Sequence, residues 1–410
     1  MKKRKLPIGG VQTFGKLRAK YDVYVDKTKH IYEMATSYEA VFLARPRRFG
    51  KSLLCSTIES LFRGEKELFE GLYIYETDWD WKKHPVIHLD LSARNYTDNG
   101  VAALLKSLNG QLDAVCREYE IVAERSDFIE ERFTEVIAAL FEKHGSVVVI
   151  IDEYDFPLIS TISQQEINEQ LREKLKGFYG VLKRSDRYLR FVFVTGITKF
   201  AQISMFSGFN QPKDITMLAE YCDICGITYE ELENYFKHET DAFAPRYGGK
   251  IKYLEKLRAN YDGYFFTKDK VAVFNTYGLL NHFDSSGDFM PFWSMSGHPS
   301  LLQKYLETKE VDILDVESAE MSAGAFADYK DNTITLVPLL YQAGYLTIAD
   351  YNEKTDMYTL RYPNIEIRKT LAAFLASNYS KAKGISGDSV SVRLVQSLLD
   401  GKLPTATCNP

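Results

Sequence analysis

Val41 to Ile58 reads VFLARPRRFGKSLLCSTI, and this stretch decides the fold. Four apolar residues lead into a tight basic loop closed by Gly50-Lys51-Ser52, after which apolar residues recur at helical spacing. That is a strand, a phosphate-binding loop and the start of a helix. A loop that wraps a triphosphate must turn successive backbone N–H groups inward, and Gly50 lets the chain approach without a Cβ in the way. Lys51 is placed to reach the β and γ phosphates, and Ser52 to offer a hydroxyl to Mg²⁺ at the positive end of the helix. Against the pattern G-x-x-x-x-G-K-[ST], Arg45 replaces the first glycine and Pro46 follows it. A residue before proline is held extended, which suits a chain leaving a strand. Arg45, Arg47 and Arg48 add positive charge where a polyanion is expected, and the binding segment runs on through Phe49 to Leu53.

A second stretch answers the first. Val147-Val-Val-Ile-Ile151 is a run of β-branched residues, as in a parallel strand buried on both faces, and it ends in Asp152-Glu153. Open α/β sheets hold their ligands at the carboxyl ends of the strands, so Asp152 is expected to share the Mg²⁺ with Ser52. Glu153 is the candidate to orient and deprotonate an attacking water. A third strand, Leu189 to Val194, ends in Thr195-Gly-Ile-Thr198-Lys199. Thr195 is the candidate γ-phosphate sensor, with Thr198 and Lys199 close behind. The order of loop strand, intervening strand Val86–Leu91, acidic strand and polar-tipped strand predicts an α/β nucleotide-binding core over 37–228.

The flanks read differently. Val23-Tyr-Val25 alternates as a short strand, and Thr28 is a plausible cap for a following helix within an N-terminal segment, 1–36. Asp98 and Asp127 read as acidic caps of two long helices. Thr228-Tyr-Glu-Glu231 is a capping box opening a mostly helical region, 229–290. Over 291–375, helices followed by two strands, Tyr345–Ala349 and Met357–Arg361, outline a winged helix, and 376–410 is a helical tail.

Composition sets the bounds. The chain has 410 residues, 45% hydrophobic and 26% charged, with a net charge of −5, so it carries no global bias toward nucleic acid. Acids at least match bases across 286–375, which does not favour duplex DNA as a partner. Five scattered cysteines argue for a reducing compartment, and Cys222-x-x-Cys225 lacks a second pair to complete a zinc site. With no secretory signal and no run of about 18 apolar residues, a cytoplasmic location without membrane contact is expected.

Together the phrases PIGGVQTFGKLR, YVDKT, FLARPRRFGKSLL, PVIHLDLS, VVVIIDEYDFPL, LRFVFVTGITKF, FSGFNQPKDITM, YDGYFF, LLYQAGYLTI and YPNIEIR resemble the bacterial AAA-ATPase-like family, in order over about 7–370. The resemblance implies a P-loop NTPase core of AAA/STAND-like type with a helical lid and winged helix, and ATP and Mg²⁺ as ligands. It also implies that a loop without its first glycine is normal. ATP over GTP rests on this resemblance and on the absence of an N-K-x-D guanine reader. Members usually carry a C-terminal PD-(D/E)XK nuclease domain, but no acidic strand with E-x-K follows Arg368, so nuclease activity is not expected of this chain. In related lid-bearing ATPases a Gly-x-Pro at a helix start lies near the nucleotide, a part that Gly297-His298-Pro299 is placed to play. A protein partner or a homo-oligomer that supplies an arginine stays open, as does a slowly cycling nucleotide-gated switch in place of an ATPase.

Overall fold

The computed structural model describes residues 4–8, 10–92, 94–126, 128–199, 212–295, 302, 319–326 and 336–382. Its centre is a five-stranded parallel sheet of β1 (Ala40–Ala44), β2 (Val86–Asp90), β3 (Val147–Asp152), β4 (Leu189–Gly196) and β5 (Lys213–Asp214), in the order β2-β3-β4-β1-β5. The strand that feeds the phosphate loop is therefore separated from the acidic strand by β4, and all three deliver their carboxyl ends to one edge.

Alternation along the strands builds two cores. Val41, Leu43, Val148, Ile150, Phe191 and Phe193 face one side, beneath α1 (Phe14–Lys20), α2 (Thr28–Ser37) and α3 (Lys51–Phe62). Phe42, Ala44, Ile87, Leu89, Val149, Ile151 and Val194 face the other, against α4 (Gly100–Glu118), α5 (Ile129–His144) and α7 (Gln165–Arg184). A sheet covered on both faces needs this unbroken apolarity, which is why β3 has no polar residue before Asp152. A short helix, α6 (Phe156–Ser160), follows the acidic pair.

Two expectations from the sequence change in detail. Val23 to Val25 pairs with no described strand; it borders the cavity that Gly50 and Lys51 also line. α4 starts after Asn99 with no side-chain cap there, and Asp98 instead accepts from Asn95; α5 starts after Phe128, and Asp127 lies outside the described residues. The segment after Lys213-Asp214 turns away after two residues of strand, because Asp214 Oδ1 accepts from Thr216 N and closes a turn.

Beyond the core, α8 (Tyr229–Tyr235) opens with the full capping box, Thr228 and Glu231 each bonding the other's backbone N–H. It is followed by α9 (Lys237–Phe243), α10 (Lys250–Tyr261) and α11 (Thr276–Asp284), with a small antiparallel sheet of β6 (Ile227–Thr228), β8 (Ala272–Phe274) and β7 (Tyr264–Phe265). The segment 261–266 is thus partly strand. After α12 (Phe292–Met295) come β9 (Glu320–Ser322), α13 (Leu336–Gln342), the hairpin β10 (Thr347–Asn352) and β11 (Met357–Arg361), and α14 (Ile365–Ala382); β9 pairs with β11. Gly297-His298-Pro299 lies outside the described residues. Among the described residues no helix is long and apolar enough to cross a membrane.

This last module packs directly on the phosphate loop. Gly344 ends α13 with φ +86°, and a Cβ there would lie 2.9 Å from the Pro46 Cβ and 3.2 Å from the Trp293 ring. Glycine is required twice over, by the left-handed backbone and by the close approach. Gly344→Ala is expected to lower stability by about 1–3 kcal/mol, the scale of combined backbone strain and overpacking. Urea unfolding followed by tryptophan fluorescence measures it, and an unchanged midpoint would mean that the loop and the hairpin module do not pack together in solution.

Candidate functional site

Gly50, at φ +94°, turns the chain into α3, and a Cβ there would meet nothing within 4 Å, so the loop leaves open space beside its backbone. Arg48 is also left-handed, at φ +70°. Two non-helical residues of that hand so close together curl the loop and aim N–H groups into a concavity. Neighbouring elements hold the curl in place. The Phe49 ring is buried edge-on against Tyr264 and Phe266, its carbonyl accepts from Gly226 N, and the Arg48 carbonyl accepts from the Asn275 amide.

The loop arginines divide. Arg45 is buried away from the loop's interior, where its guanidinium donates to the carbonyls of Ala44, Thr216 and Tyr221 and stacks on Phe266 at 4.3 Å. It ties β1 to the segment after β5. Pro46 packs toward Gly344, and its carbonyl accepts from Lys51 Nζ at 3.3 Å. Arg48 donates to the Trp293 carbonyl at 2.8 Å and lies over Tyr277. Arg47, Arg48, Phe49, Gly50, Lys51, Ser52 and Leu53 all line one cavity of about 500 Å³.

The charges meet at its floor. Lys51 is only 4% exposed and its ammonium stands 3.3 Å from Glu153 Oε1. Glu153 has φ +51°, a left-handed conformation in a non-glycine residue, and its Oε2 is buried without a hydrogen-bond partner. An orphaned carboxylate oxygen on a strained backbone marks a group held ready for something else to bind. Asp152 lies just behind, buried, with the Ser52 hydroxyl bonded to it. Burial first, and then the neighbouring Glu153 charge, push the Asp152 carboxyl up, against the pull of Ser52 and Lys51. A buried acid held at a cost to its charge, beside a hydroxyl, fits a divalent cation that would restore the balance.

Thr195 does not reach the cavity. Its hydroxyl is fully buried and donates to the Leu43 carbonyl at 2.7 Å, crosslinking β4 to β1 one residue pair from the loop. Thr198 bonds Asp155 through both its amide and its hydroxyl, and Lys199 pairs with Asp214 at 2.6 Å. Each of these three polar side chains, at the end of β4 and just after it, is already bonded within the protein.

Some lining residues escaped the sequence reading. Asp90, the residue of β2 in register with Asp152, borders the cavity with Ser92, whose N–H and hydroxyl it accepts. Its signal was available: an acid at the carboxyl end of a parallel strand. Val11, Val25, Ile227, Phe236 and Leu280 form the apolar end of the cavity, where the N-terminal segment meets α8 and α11. No pattern in the sequence announces that contact. The ion pair of Lys27 with Glu231, at 2.5 Å, and the bonds of Arg4 to Glu239 and to the Tyr235 carbonyl hold the two together.

A family model described as a predicted AAA-ATPase matches residues 7–206, which contain the loop, Asp152-Glu153 and all of β4. The chain is also 34% identical over 389 residues to an "Uncharacterized protein in vnfD 5'region" of Azotobacter chroococcum mcd 1, covering 92% of this chain and 71% of the relative. The chain belongs to the predicted AAA-ATPase family. The matched residues include β1 to β4 of the parallel sheet, and membership implies nucleotide binding. For this family member the matched region also includes Pro7 to Val25, the segment that closes the apolar end of the cavity.

Proposed function

We propose that the chain binds ATP with Mg²⁺ and hydrolyses it. The observation that carries this reading is the floor of the cavity: a buried lysine at the start of α3, 3.3 Å from a carboxylate with an unpartnered buried oxygen, beside a buried acid and serine pair. Lys51 and the loop amides hold the β and γ phosphates, exchanging the Glu153 carboxylate for phosphate oxygens. Ser52 and Asp152 hold the Mg²⁺, which when bound supplies charge neutralisation at the bridging phosphate oxygens. Glu153, released from Lys51, orients the attacking water and accepts its proton. Thr195 contributes by fixing the spacing of β1 and β4 beneath the γ-phosphate end. The purine occupies the apolar end between Val11, Val25 and Leu280. The helical region of 229–290 serves as the lid, since it lines the cavity and is pinned to the N-terminal segment. The helix, hairpin and third strand that follow play the part of a winged helix, buttressing the loop through Gly344 and Arg48.

Phosphate release in ATP with Mg²⁺, and its loss on replacing Mg²⁺ by chelator, is the expected result for purified protein. Turnover of less than one ATP per protein, with ATP still bound stoichiometrically, would replace the enzyme by a nucleotide-gated switch.

A further inference from the structure

Directly beneath the proposed Mg²⁺ position lies a second cluster that the hydrolytic reading does not use. Cys55 sits one helical turn after Lys51 on α3, and His88 is an inward residue of β2. Along β3 the residues Val148 and Ile150 face α3, so Asp152 follows them onto that face, and along β2 Val86 and then His88 do the same. The Cys55 sulfur, a His88 ring nitrogen and an Asp152 oxygen consequently lie within 4.8 Å of one another.

A further carboxylate orients the imidazole. His88 Nδ1 is 2.7 Å from Glu59 Oε2, and Glu59 is itself fixed by Arg63 at 2.8 Å. The carboxylate accepts a hydrogen bond from Nδ1–H, which leaves Nε2 as the ring nitrogen open to a ligand. A carboxylate, a histidine and an open nitrogen is the arrangement that orients histidine ligands on zinc. Cys55 and Asp152 are buried, whereas the His88 side chain is 24% exposed and gives a cation a way in.

We propose that Cys55, His88 and Asp152 form a binding site for a borderline-soft divalent cation of the zinc class. Thiolate, imidazole and carboxylate suit that class and not Mg²⁺, which takes oxygen ligands. Bonds of about 2.0–2.3 Å put tetrahedral ligand atoms roughly 3.5 Å apart, so the cluster closes by about 1 Å, and water takes the fourth position. Binding forms the sulfur–metal bond and releases the thiol proton to solvent. Because Asp152 belongs to both sites, a bound zinc ion withdraws it from Mg²⁺. That consequence rests on the hydrolytic reading, while the site itself does not.

Cobalt(II) titration of the reduced full chain, without nucleotide, tests the site directly. The expected result is a thiolate-to-cobalt charge-transfer band in the near ultraviolet with visible absorption of tetrahedral intensity, both abolished by equimolar Zn²⁺. Cys55→Ala should lose the band. His88→Ala, at a half-exposed position that folding tolerates, should lose the tetrahedral visible absorption. Glu59→Gln should weaken cobalt affinity 10–100-fold, the usual effect of losing such a carboxylate. The Cys222→Ser, Cys225→Ser double variant should keep the full spectrum. Absence of the band in the wild type, its survival in Cys55→Ala, or its loss in the Cys222, Cys225 variant would each overturn the proposal, and none of these readouts depends on ATP turnover.

Discussion

Lys51→Ala is expected to weaken ATP binding by roughly 10²-fold, measured by calorimetric titration in Mg²⁺. The magnitude follows from what the ammonium does. A hydrogen bond to a charged partner contributes about 1.5–3 kcal/mol, and each 1.4 kcal/mol is tenfold in affinity. At 4% exposure Lys51 has almost no water to return to, so its attraction for phosphate is little screened. The variant has a second effect that works against binding. It leaves Glu153 with neither oxygen paired by a cation, since Oε2 has no partner and Oε1 looks to Lys51. An uncompensated carboxylate then faces the incoming triphosphate. Lys51→Arg is expected to rescue little, because the planar guanidinium needs more room than the space between the Pro46 carbonyl and Glu153. Unchanged affinity in Lys51→Ala would remove the phosphate-loop assignment altogether.

How far the sequence carried this site depends on the range of the forces involved. Gly50, Lys51 and Ser52 were legible because backbone curvature, charge and helix start are local properties of a few adjacent residues. Asp152-Glu153 were legible because the unbroken apolar run before them can only be an interior parallel strand. Residues whose role is set by tertiary direction were not. Arg45 reads as part of a basic loop, yet its side chain turns to the carbonyls of Thr216 and Tyr221, far along the chain. Thr195 ends the right strand, but the strand's own hydrogen-bonding need at Leu43 claims the hydroxyl. The alternation of Val23-Tyr24-Val25 looked like a strand because period two is common to any extended chain; with no partner edge beside it, the segment serves as cavity wall. The two strands expected at Tyr345–Ala349 and Met357–Arg361 are the β10–β11 hairpin, the first beginning two residues later. What the sequence did not foretell is that the turn at Gly344 abuts Pro46, which makes the distal module part of the loop's support.

Glu153→Gln is expected to separate binding from turnover. Hydrolysis should fall by about 10²–10⁴-fold, the range for losing a positioned general base. Affinity for ATP should hold or rise, for a reason visible in the Lys51–Glu153 geometry. Glu153 occupies Lys51 at 3.3 Å, so phosphate must displace a carboxylate from the ammonium before it binds. The amide keeps the shape of the side chain and removes the competing charge. It also relieves Asp152, whose carboxyl is held up after burial chiefly by the charge of Glu153, and so favours the ionised form that a metal needs. Gln is tolerated sterically, since the left-handed backbone at residue 153 strains glutamate and glutamine alike. Single-turnover phosphate release and calorimetric titration on the same sample give the two numbers. A parallel loss of affinity and rate would make Glu153 a partner that keeps Lys51 in place, and the proton acceptor would then have to be sought at Asp90, the other cavity-lining acid at a strand end.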